Sequence, residues 1–135
     1  MSKSLIYTAN TTGAAVPIGN TVPVGSIIRR YGQCIDATGS AINLTEAGYY
    51  DIDVSATVTA AVAGDVVLTI TQDGVPVPGA MASATITTPT TQAETLAITA
   101  VIRVRCCGNA SIAVLVDGTT APTVQNMAIR AVKVV

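Results

Sequence analysis

Histidine, tryptophan and phenylalanine are all absent from these 135 residues, and four tyrosines are the only aromatics. Without histidine, a serine or cysteine nucleophile has no general base of the usual kind. Zinc sites that mix cysteine with histidine are excluded for the same reason. Without tryptophan or phenylalanine, the chain lacks the rings that sugar sites commonly stack on. Charge is scarce as well. Seven basic and eight acidic residues make up 11% of the chain and leave a net charge of −1. The basic residues are scattered, so there is no electrostatic footprint for nucleic acid. No uninterrupted apolar run approaches the ~18 residues of a membrane-spanning helix. The opening "MSKSLIYTANTTG" has no apolar core of a secretory signal. Synthesis in the cytosol is therefore expected, with any outside location reached by assembly and lysis. Cysteine is limited to Cys34, Cys106 and Cys107. Neighbouring strand residues point to opposite faces, so a Cys106–Cys107 disulfide would strain the backbone. Buried, reduced thiols are the expectation.

What is present is apolar and small. Half of the residues are hydrophobic and the mean hydropathy is +0.56. One domain of this length buries a real core. Its few charges cannot cover all of the exterior, so much of the surface is expected to lie against something else. Copies of the same chain are the simplest cover, since most soluble oligomers are symmetric homo-oligomers.

Period-two alternation dominates the pattern. In "GYYDIDVSATVTA", Tyr50, Ile52, Val54, Ala56 and Val58 share one face, while Tyr49, Asp51, Asp53, Ser55, Thr57 and Thr59 share the other. "DVVLTITQDG" places Val66, Leu68 and Ile70 inward. "TLAITAVIRVRCC" does the same with Leu96, Ile98, Ala100, Ile102, Val104 and Cys106, leaving Thr99, Arg103 and Arg105 outward. "SIIRRYGQCI" reads as a further strand, carrying Arg29 and Arg30, and "ASIAVLVDG" and "NMAIRAVKVV" complete the set. The last is apolar on both faces near its end, which predicts a central strand or a subunit contact. Turn signals recur about every ten residues, the rhythm of a sandwich or barrel. No window shows a helical period. The Gly- and Pro-interrupted stretch from Gly13 to Val24 is expected to be irregular or an edge, and "TTPTTQAET" at 87–95 a polar loop.

"TQDGVPVPGA" carries the most local information. Asp73-Gly74 supplies the positive φ of a two-residue hairpin. Pro76 and Pro78 cannot donate to a ladder, which predicts an edge or a corner. The chain is expected to cross at Gly79 into the other sheet, starting a new strand at "MASATITT".

These stretches resemble a known group. "EAGYYDIDVSATVTA", "VVLTITQDGVPVPGA" and the terminal "MAIRAVKVV" are similar to the jelly rolls of tumour necrosis factor and the complement globular heads. The likeness is nearest to the bacterial and phage branch, which includes exosporium glycoprotein heads and small virion proteins of phages infecting Firmicutes. It covers about residues 40–135 and is loose before that. The resemblance implies an all-β, antiparallel jelly-roll sandwich of about ten strands that forms a homotrimer, with no enzymatic activity and no cofactor. Residues 1–24 would then be an attachment or edge segment, and 25–135 the jelly-roll domain of a single compact unit. The absence of an upstream Gly-X-Y stalk favours a virion structural protein, a head decoration or head fibre, over a spore-surface protein. The partners implied are the chain itself and phage capsid or other virion proteins. A host-surface glycan bound through loops 37–40, 87–95 and 117–123 is the alternative.

Candidate residues are few. Asp51 and Asp53 lie two apart on the polar face, as a calcium ligand pair or acid–base pair would. A solvated strand face places them identically. Arg103 and Arg105 suit an anionic glycan, a carboxylate across a subunit boundary, or the two aspartates on an adjacent strand. Tyr31 and Tyr49 suit a trimer contact or a stacking platform. No catalytic, cofactor-binding or metal-binding residue is assigned.

Overall fold

The computed structural model describes residues 3–105 and 108–135. Cys106 and Cys107, with the disulfide question they raise, lie outside the described residues. Eleven strands run in chain order among the described residues: β1 (Leu5–Asn10), β2 (Ala14–Ala15), β3 (Ser26–Tyr31), β4 (Ile35–Thr38), β5 (Ala41–Leu44), β6 (Gly48–Ala60), β7 (Gly64–Gln72), β8 (Val75–Ile86), β9 (Glu94–Val104), β10 (Ala110–Gly118) and β11 (Pro122–Lys133). They form two antiparallel sheets. The front sheet has the order β3-β1-β11-β6-β9, with β2 added against β11; the back sheet has the order β4-β5-β10-β7-β8.

The alternation builds the core directly. Tyr50, Ile52, Val54, Ala56 and Val58 of β6 are buried, as are Val66, Leu68 and Ile70 of β7. They meet Leu96, Ile98, Ile102 and Val104 of β9, and Ile112, Val114 and Val116 of β10. With no phenylalanine or tryptophan, branched aliphatics fill nearly all of the space between the sheets. Such side chains are stiff and suit a pleated surface. β11 is a central strand, as its two-sided apolar pattern predicts. Met127, Ile129 and Ala131 face the core, and Ala128 and Val132 on the other side are only half-exposed.

Two expectations about connections need correcting. The chain does not change sheets at Gly79. β8 stays paired with β7 throughout, and the register jumps from Thr71↔Pro76 to Thr69↔Met81. The prolines supply no donor, so the ladder opens around them, bulges at Gly79 (φ +82°) and closes again at Met81. The Asp73-Gly74 hairpin has φ of +52° and +84°, the left-handed pair that a two-residue turn needs. β8 is also the edge of its sheet, as the prolines require. The change of sheet occurs instead inside "SIIRRYGQCI", which sequence alone reads as one strand. It breaks at Gly32 (φ +81°), with β3 in the front sheet and β4 in the back.

Residues 1–24 are not set apart from the sandwich. β1 sits between β3 and β11, pairing Leu5 with Val132 and Asn10 with Met127. The stretch after it is irregular apart from β2, but it is anchored. Val16, Val22 and Val24 are buried, and backbone bonds tie Val16 to Pro122 and Val22 to Val114. It thereby straps the top of one sheet to the other.

One core position is imperfect. Thr8 of β1 is fully buried, and its Oγ1 is the one buried side-chain polar atom without a partner among the described residues. A buried hydroxyl with no hydrogen bond is destabilising by roughly 1–3 kcal/mol. Thr8→Val keeps the shape and removes the group. It should raise stability by about 1 kcal/mol, read as a higher urea midpoint with an unchanged slope.

Candidate functional site

Five of the six singled-out residues share one surface, the outer face of the front sheet. The ladders arrange that face in cross-strand rows. One row runs Tyr31, Leu5, Val132, Asp51, Val101 across β3, β1, β11, β6 and β9. The next runs Arg29, Tyr7, Arg130, Asp53, Thr99. On the other side of the first row, Tyr49 lies opposite Arg103. Directly opposed residues stand close enough to interact as pairs.

These rows decide between the charge pairings left open by the sequence. Arg103 is not opposite an aspartate. Its guanidinium lies 6.0 Å from the centre of the Tyr49 ring, a cation–π contact of about 0.5–1 kcal/mol at an exposed site. Asp53 instead pairs with Arg130 of β11, a residue sequence reasoning did not single out. Strand order is the only guide to that pair, since 77 residues separate its members. Asp51 sits between Val132 and Val101 in the apolar row, with no ion pair among the described residues. Arg105 lies just beyond the end of β9 and is exposed. The two aspartates therefore do not act as a matched pair, and no group of three His, Cys, Asp or Glu converges among the described residues.

What stands out is apolar exposure. Tyr31 and Val101 are each 65% exposed, and Tyr49, Tyr7 and Leu5 are exposed on the same face. For a chain this poor in charge, that is a large uncovered surface.

The two ends of the sandwich differ. Strand directions bring the 37–40, 87–95 and 117–123 segments to one end, away from Lys3 and Val135. That end is tied down by hydrogen bonds. Gln92 Oε1 accepts from the amides of Thr87 and Thr88, Thr90 N donates to Ala60 O, and Thr21 Oγ1 donates to Ser40 Oγ. Clefts gather at the opposite end. One of about 650 Å³ is lined by Lys3, Tyr31, Gln33, Cys34 and Glu46; another of about 430 Å³ is lined by Gln72, Asp73, Arg103, Arg105 and Asn109.

The first cleft has a polar floor. Cys34 is a buried free thiol whose Sγ donates to Glu46 Oε2 at 2.8 Å. Glu46 Oε1 is 3.2 Å from Nζ of Lys133, whose side chain is only 4% exposed. Tyr50 O–H donates to the Glu46 carbonyl at 2.6 Å. This cluster stitches the β3–β4 corner to β6 and β11. It was not legible in the sequence, because Cys34, Glu46 and Lys133 are far apart in the chain.

No family model and no curated protein matches the chain. Solved structures do. Eiger TNF from S. frugiperda superposes with a TM-score of 0.69 at 11% identity, over 98% of this chain and 92% of that one. The globular domain of zebrafish complement 1qA gives 0.61 at 10%, over 94% of each. The fold is a TNF-like jelly roll. Vertex protein P5 of phage PRD1 shares this jelly roll, with a TM-score of 0.59 at 14% identity over 98% of this chain and 97% of that one.

Burial pushes the Tyr50 phenol above its ordinary value, and the Cys34 and Glu46 charges add to the rise. A raised acid stays protonated longer in the folded state than in the unfolded chain. Its stabilising contribution is therefore complete below the ordinary phenol value of about 10 and is lost as pH climbs above it. Stability should fall from about pH 10 upward. Tyr50→Phe should flatten that fall and lower stability at pH 7 by about 1 kcal/mol through the lost hydrogen bond. Denaturant unfolding at pH 7 and at pH 10.5 compares the two.

Proposed function

We propose that this chain is a non-enzymatic structural protein of a bacteriophage particle: a homotrimeric jelly roll that decorates the virion, on the head or as a head fibre. The observation that carries the reading is the outer face of the front sheet. It carries the exposed Leu5, Tyr7, Tyr31, Tyr49 and Val101, in and around an apolar row that lies beside the charged row of Arg29, Arg130 and Asp53. Packing that face around a threefold axis covers surface that would otherwise aggregate, and cyclic closure ends the assembly at a fixed size. Fold likeness to the PRD1 vertex protein supports a place in a virion. The resemblance of "EAGYYDIDVSATVTA", "VVLTITQDGVPVPGA" and "MAIRAVKVV" to the bacterial and phage branch of the TNF-like group supports the same reading.

Light scattering should give about three times the 13.6 kDa chain mass at micromolar concentration. A stable monomer would overturn the trimer. Val101→Arg puts a charge at the β9 end of the apolar row, on its most exposed aliphatic side chain, and should weaken association at least about tenfold. Immunogold labelling of particles from the source culture tests the location. Gold over icosahedral heads is expected, and gold on spores in the absence of phage would overturn the virion reading.

A second reading, a tip that recognises host-surface glycan, is favoured by the gathering of three loops at the end away from Lys3 and Val135. It requires a saturable hit on a glycan array that substitutions in 87–93 abolish.

A further inference from the structure

The four sheet edges are not alike. A sheet edge presents unpaired N–H and C=O groups to any extended chain that can reach them, and proteins usually shield it. β8 is shielded by Pro76 and Pro78. β9 packs along β8, where the two sheets meet. β4 is only four residues long. β3 has neither proline nor a covering strand and is longer, with one irregularity, a bulge at Ile28 in its pairing with β1. All six of its residues are exposed, and it offers β-branched Ile27 and Ile28, 41% and 43% exposed. Only one of its sides is taken, by β1.

The charge at this edge is one-sided. Arg30 is committed within the chain, with Nε donating to Ile35 O at 3.1 Å and Nη1 lying 3.9 Å from Asp36. Arg29 donates only to the carbonyl of its neighbour Ile28, at 2.9 Å. Neither Arg29 nor Lys3, which lines the cleft at the Tyr31 end of the strand, has an ion pair among the described residues. Three of the seven basic residues thus cluster at one edge of a chain whose net charge is −1. A second copy pairing β3 against β3 would bring like charges together. An acidic chain would meet matching ones.

We propose that the free edge of β3 is a strand-addition site for an extended, acidic peptide segment of another protein. Main-chain hydrogen bonds to residues 26–31 would supply affinity. Arg29 and Lys3 would select glutamate or aspartate, with Ile27 and Ile28 packing against β-branched neighbours in the added strand. This edge borders the face assigned to self-association and shares Tyr31 with it, but exchange at the main chain of 26–31 reports the edge while particle mass reports the face, so either assignment can fail without the other.

The test uses the full chain and two short blocked peptides, one alternating valine with glutamate and one alternating valine with lysine. Amide hydrogen exchange is followed at residues 26–31. The glutamate peptide should slow exchange there roughly tenfold in a saturable way, and the lysine peptide should not. Lys3→Glu combined with Arg29→Glu changes two exposed side chains and should reverse the preference. Slowing by neither peptide, or equal slowing by both, would overturn the proposal. So would slowing in the protein alone that grows with concentration, which would mean a second copy holds the edge.

Discussion

The ladder between β6 and β11 is the constraint from which the rest of this jelly roll follows. Eleven residue pairs, from Pro122↔Ala60 to Lys133↔Tyr50, fix the register of the two longest strands of the front sheet, with one shift at Val124/Asn126. Side chains alternate with a period of two, so a slip of one residue would turn Ile52, Val54, Ile129 and Ala131 out of the core. The same register sets the outer face. It places Asp53 against Arg130 and Asp51 between Val132 and Val101. Core and exterior are two readings of one set of hydrogen bonds.

Most of the architecture was legible because it is local. Alternation over five to thirteen residues marks each long strand, and Asp73-Gly74 marks the tight hairpin by its need for positive φ. The two connection errors share a cause. Gly79 after Pro78 and Gly32 after Tyr31 are both glycines with φ near +80°, yet one makes a bulge and the other a corner. The difference lies in what happens beyond them. Residues after Gly79 find β7 again, while residues after Gly32 find β5 in the other sheet. Pairing partners decide that, and they are distant in the chain.

The candidate residues were legible as a group and not as pairs. Alternation alone is enough to put Tyr49, Asp51, Asp53 and Arg103 outward. The partner each one meets depends on strand order, and that order joins β6 to β9 and β11 and not to its chain neighbours. Arg103 therefore meets a ring, and the arginine that meets Asp53 comes from the last strand. The Cys34–Glu46–Lys133 cluster lies still further from sequence reasoning. Its acid and base are 87 positions apart, and its ammonium is buried in a strand whose pattern reads as apolar. An ion pair of this kind, with a buried ammonium and a partly exposed carboxylate, is weak evidence for stability and better evidence for a specified geometry.

The position of β11 also bears on how the chain comes to be folded. It is the last strand in chain order and sits between β1, the first, and β6. During synthesis β1 therefore waits for a partner made more than a hundred residues later, Leu5 for Val132, 127 positions on. The hairpin of β7 and β8 can close early, since its contacts are local. The front sheet cannot, and until β11 arrives its inner faces and edges are open to solvent and to other nascent chains. Non-local pairing of this sort folds slowly. Sparse charge gives the waiting chain little protection, so its yield in a crowded host should depend on rapid completion of that one strand.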